Sequence, residues 1–137
     1  MSTVIRSELS EKNKYAIPKH RYLELKHFCM QYPEWQRALK ELNPLQSSFK
    51  EEKINVGHQS DPTGDLAERR LYFTARIRLL EHVAQDASDC YWRGLLEAIV
   101  YGYSYDTISA RTTIPCCRES WYESYRRFFW LLDKARK

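Results

Sequence analysis

The chain has 137 residues, of which 43% are apolar, 29% charged and 14% aromatic, with only four Gly and five Pro. That composition excludes collagen-like, low-complexity and fully disordered chains, and the length provides one modest core with an appendage, not two full domains. The net charge of +4 is uneven: residues 1–53 hold ten Lys/Arg against seven Asp/Glu, residues 54–110 five against eight, and residues 111–137 seven against three, so the last segment is the basic end.

Residues 1–17 show no periodicity and read as a frayed arm. With no apolar h-region there, a secretory signal is not expected. Pro18 opens a first helix to about Gln31, with Tyr22, Leu25, Cys29 and, in part, Phe28 on one face. Pro33 removes a backbone donor, so Glu34 to Leu42 is expected as a kinked continuation or a second short helix carrying Trp35, Ala38 and Leu42. Asn43 and Pro44 are expected to end it, and residues 43–60 read as a loop or linker in which Ile54 to Val56 dock.

Asp61 before Pro62 is a strong helix start, a capping carboxylate ahead of the residue that tolerates the first helical position. The helix is predicted to run to about Ala84, with Leu66, Phe73 and Leu80 at seven-residue spacing, Ile77 and Ala84 in the alternate seam and Arg70 interrupting. That face is a core or a dimer seam. Asp89 is expected to cap a further helix with Tyr91, Leu95, Leu96, Ile99 and Val100 in one stripe, closed by Gly102. Ser104 caps a short helix, Tyr105 to Arg111, with Tyr105 and Ile108 inward and Ser109 allowing close approach. A turn at Thr112 to Pro115 leads to a last helix ending near Lys134. No strand pattern appears, so the fold class is all-α: a small helical bundle with an N-terminal part over residues 1–60 and a helical domain over 61–137.

The order helix, glycine break, short helix, turn, long basic-aromatic helix is that of a helix-turn-helix spanning about residues 104–134, in which the last helix enters the major groove of DNA. Trp121, Tyr125, Phe128 and Leu132 recur at spacings of four, three and four and are expected inward. Arg118, Glu119, Tyr122, Glu123, Arg126 and Arg127 are then left outward. Arginine donates two bonds to a guanine edge and tyrosine reaches phosphate or a thymine methyl, while Arg111 and Thr112 in the turn, beside Thr113, are placed for phosphates. The candidate DNA-binding residues are therefore Arg111, Thr112, Arg118, Tyr122, Arg126 and Arg127. Glu119 and Glu123 repel phosphate unless they accept from cytosine, and a solvated face laced by pairs such as Glu123 to Arg127 is the competing account.

Gly102, Ser104, Tyr105, Ile108, Ile114, Trp121-Tyr122 and Arg126-Arg127 carry a resemblance to the helix-turn-helix of sigma-factor region four and of short phage or prophage transcription regulators of the RinA and ArpU kind. The segment HFCMQYPEW, the Ser-Asp-Pro-Thr helix start, and IPCC ahead of YRRFFWLLDK extend the likeness to small proteins of phages of Gram-positive bacteria. The sequence departs from that pattern in Thr113 for the turn glycine, Ser109 for the usual alanine, and Pro115-Cys116-Cys117, which lengthens the approach to the last helix. The resemblance implies transcription control in a phage programme. The expected partners are double-stranded DNA, RNA polymerase and, from the seam of the 62–84 helix, a second copy of the chain, and without a signal segment the expected location is the cytoplasm of a bacterial host cell.

No nucleotide-loop, serine-hydrolase or zinc-protease motif occurs, so the chain is expected not to be an enzyme and to need no cofactor. Cys29, Cys90, Cys116 and Cys117 read as reduced thiols, the last two as buried ones near a helix start. The vicinal pair lacks the spacing of a zinc clip, and no metal site is expected. The longest apolar run, Phe128 to Leu132, is five residues where a bilayer span needs about 20, so no membrane partner is expected. That run is apolar all round and requires cover from the N-terminal helix (Tyr22, Phe28, Trp35) or from a second protomer. The rival functions are a protein-interaction module binding a host polymerase or defence complex, and a small DNA-recognition subunit of a phage packaging machine.

Overall fold

The computed structural model describes residues 14–51 and 62–136, with side chains for 14–42 and 64–136. Among the described residues six helices follow in order: α1 (Lys19–Cys29), α2 (Tyr32–Glu51), α3 (Pro62–Ala87), α4 (Trp92–Tyr101), α5 (Tyr105–Arg111) and α6 (Arg118–Ala135). The described residues contain no strand, and none of their helices is long and apolar enough to cross a membrane. The arm over residues 1–13, the Asp61 cap and the docking of Ile54 to Val56 fall outside the described residues.

The chain divides into two compact units, one formed by the residues up to Gln31 with Leu79 onward, the other by Tyr32–Arg78. One boundary follows α1 and the other falls inside α3. The reason is the apolar face of α1, whose Tyr22, Leu25, Phe28 and Cys29 are buried. That face packs against α4 and α6. Tyr22 meets Phe129 edge to face at 4.9 Å, and Tyr15, in the segment expected to fray, packs on Trp130 at 5.4 Å. Ile17 is buried as well. The far side of the 128–132 run is thus covered from within the chain. Trp35, also expected to cover it, belongs to the other unit.

Within the first unit, Leu80, Ala84, Leu95, Leu96, Ile99, Ile108, Trp121, Phe128, Phe129 and Leu132 form the buried core. Arg21 ties the ends of the chain together. Its guanidinium donates to Asp133 Oδ1 at 2.6 Å and to the Arg136 carbonyl at 2.5 Å, placing a cation where the unpaired carbonyls of α6 collect negative charge.

In the second unit, α2 begins at Tyr32 with Pro33 in its first turn, where a missing donor costs nothing. It does not stop at Asn43-Pro44 but continues to Glu51. Proline's fixed φ is compatible with a helix, and the backbone stays helical through Pro44. Half of the expected linker is therefore helix. On α3, Leu66 is buried, while Phe73 is only half-buried.

Candidate nucleic-acid interface

Helices α4 to α6 are set by local signals. Gly102 terminates α4 at φ 74°, a left-handed backbone that favours glycine. Ser104 Oγ accepts from the Thr107 amide at 3.2 Å and starts α5. Asp89 does not cap α4. The N-cap position is Tyr91, whose amide donates to Ser88 Oγ at 3.4 Å.

Trp121 is the hub. Its ring stacks on Tyr91 at 5.4 Å and meets Tyr105 edge-on at 5.8 Å, and the Tyr91 hydroxyl hydrogen-bonds Ser124 Oγ one turn on at 2.7 Å. The close approach expected at Ser109, which is exposed, is made instead by Gly94. A Cβ built there would lie 3.3 Å from Ile108 Cγ2 and 3.9 Å from Trp121 Cη2. Sequence reasoning passed over Gly94, although a glycine inside an apolar helical stripe is a signal of close packing.

With Trp121, Tyr125, Phe128 and Leu132 all buried, the opposite side of α6 faces outward. Arg118, Glu119, Glu123 and Arg127 are exposed, and Tyr122 and Arg126 are half-buried. Arg118 pairs with Asp106 of α5 at 2.5 Å and lies 5.6 Å from the Tyr105 ring centre. Tyr122 is partly committed to structure, since its hydroxyl accepts from the Tyr105 amide at 3.4 Å. The Tyr105 hydroxyl in turn donates to the Cys116 carbonyl at 3.0 Å, holding the segment ahead of α6 against α5.

Arg111 is placed differently. It pairs with Glu97 of α4 at 3.0 Å and lies over the Tyr103 ring at 4.6 Å, and Tyr103 stacks on Tyr101 at 5.6 Å. Positions 106 and 111 are about 140° apart around a helix axis. Arg111 and Arg118 are thus held on different flanks of α5. Thr112 is exposed at the end of α5 in an extended conformation. With Thr113 and Ile114 it borders a hollow of about 310 Å³ that reaches Cys90, Gly94 and Trp121.

Cys117 occupies the N-cap position of α6 and is exposed, while Cys116 is half-buried, so the pair is not the buried one expected. A hydrogen bond with Ser120 Oγ, at 3.4 Å, holds the Cys117 thiol pKa below its ordinary value. All four cysteines are free. Among the described residues no cluster of three or more His, Cys, Asp or Glu is arranged to hold a metal ion.

The chain matches no protein-family model, no curated protein and no solved structure.

Proposed function

We propose that the chain is a DNA-binding transcription regulator of the phage or prophage kind that the residues of α4 to α6 resemble, with α5 and α6 acting as a helix-turn-helix and α6 reading the major groove. The observation that carries this reading is the two-sidedness of α6. Its tryptophan-bearing side is buried to within 0–8% exposure at Trp121, Tyr125, Phe128 and Leu132, while Arg118 and Arg127 are exposed and Arg126 and Tyr122 half-buried. Arg118, Arg126 and Arg127 are assigned to base edges and phosphates, Tyr122 to a phosphate or thymine methyl, and Thr112 to a backbone phosphate. Arg111, on the other flank of α5, is a weaker candidate for the same duplex face. RNA polymerase is a further candidate partner under this reading.

Replacing Arg118 and Arg126 together by alanine is expected to weaken duplex binding at physiological salt while leaving the melting temperature unchanged. Equal affinity before and after the double substitution rules the assignment out. One observation favours a second reading, a protein-interaction module: the three arginines of the exposed face are matched by Asp106, Glu119 and Glu123, so the face carries no net charge. Binding to phosphates releases counterions and falls steeply with salt. A partner whose affinity hardly changes between low and high salt therefore supports the protein-binding alternative.

A further inference from the structure

Two thiols stand side by side at the head of α6, and the DNA-binding reading uses neither. Cys117, at the N-cap, is exposed, and Cys116 before it is half-buried. The Cys117 thiol lies 3.4 Å from Ser120 Oγ. The Cys116 side chain interacts with the Tyr91 hydroxyl, which sits 2.7 Å from Ser124 Oγ. Ser120 and Ser124 are one turn apart on the same side of α6, so both thiols lie along one short strip of hydroxyl groups. The Cys116 backbone is fixed too, since its carbonyl accepts from the Tyr105 hydroxyl at 3.0 Å.

The thiolate is the form of cysteine that attacks oxidants, and cysteines that sense them are exposed, easily deprotonated and next to a second thiol. Cys117 meets the first two conditions: solvent reaches it, and the Ser120 hydroxyl, with the Ser120 and Glu119 amides, favours its thiolate. Cys116 supplies the third. Cys29 is buried, and Cys90, although exposed, has no cysteine adjacent to it in the chain. We propose that Cys116 and Cys117 are a modification site for small peroxides, with Cys117 as the nucleophile and Cys116 as the thiol that resolves it. The Cys117 thiolate attacks one oxygen of hydrogen peroxide, the O–O bond breaks, and the departing hydroxide takes up the proton that the thiol had lost, leaving Cys117 as a sulfenic acid. The Cys116 sulfur then attacks the Cys117 sulfur. The S–S bond forms, the S–O bond breaks, and the hydroxyl leaves as water with the Cys116 proton. Two thiols are thereby oxidised to one disulfide while one peroxide is reduced to two waters. This does not depend on DNA binding.

The test is peptide mass after the full chain is treated with an equimolar amount of hydrogen peroxide, blocked with iodoacetamide and cut with trypsin. The peptide from Thr112 to Arg118 holds both thiols and no other cysteine. It is expected to be two hydrogens lighter than its reduced form, and to take up iodoacetamide only after dithiothreitol. Cys116→Ser is expected to leave on Cys117 a sulfenic acid that dimedone traps. Cys117→Ser, which keeps a good capping residue at the head of α6, is expected to slow peroxide consumption roughly ten-fold. The proposal is overturned if this peptide keeps both thiols while Cys90 is oxidised, if either thiol is linked to Cys90 or to another chain, or if Cys117→Ser reacts as fast as the unaltered protein.

Discussion

Trp121 concentrates in one side chain the joining of α4, α5 and α6. It contacts Tyr91 and Tyr105 through its faces and edge, approaches Gly94, and is 1% exposed. Trp121→Ala is therefore expected to cost about 3–5 kcal/mol in a denaturant melt, the range for deleting a large buried aromatic. Gly94→Leu attacks the same junction from the other side by overfilling it. A loss of about 1–3 kcal/mol is expected there, against the roughly 1 kcal/mol that a better helix former would otherwise contribute.

Tyr125 gives the protein an alkaline limit. Its hydroxyl, 3.3 Å from that of Tyr22, is held above the ordinary tyrosine value of 10.0, chiefly by burial and then by the neighbouring Tyr22. Because the native state keeps this proton while the unfolded chain releases it, stability is fully present below pH 10 and is lost as pH rises beyond. Guanidinium melts across that range are expected to show a decline that Tyr125→Phe flattens.

At the level of elements, the last three helices were legible where their boundaries are written in single residues. Ser104 and Gly102 mark where α5 starts and α4 stops, and the four-three-four spacing from Trp121 to Leu132 fixes the buried side of α6. Gly102→Ala is expected to cost about 1 kcal/mol, because the Cβ meets no atom within 4 Å and only the left-handed backbone penalises it. Gly102→Asn should recover part of that loss in a thermal melt. The α2 boundary was not legible, since proline inside a helix is ordinarily a stop or a kink and the helix runs on past Pro44. The Arg118–Asp106 and Arg111–Glu97 pairs were hidden for a different reason. Each joins residues on separate helices, and no spacing rule within one helix reports them.

Across the whole molecule, the first unit is stitched from chain segments more than a hundred positions apart, as the Arg21–Asp133 and Tyr22–Tyr125 contacts record. Hydropathy patterns give each apolar face but not its partner, so the sequence left open whether α1 or a second protomer covers the 128–132 run. Deleting residues 15–31 from the full chain is expected to leave Tyr125 and Phe129 uncovered. The outcome is raised binding of an apolar dye and loss of the cooperative melt; an unchanged melt would show that α1 is dispensable.

Arg21 also dictates a timetable. A ribosome releases the chain from its amino end, so α1 emerges long before α6 exists, and its tyrosine and phenylalanine side chains must wait in water or against a chaperone until α6 has been made. Native structure in this unit therefore waits on α6, and a truncated product lacking α6 leaves α1 with α4 as its remaining partner.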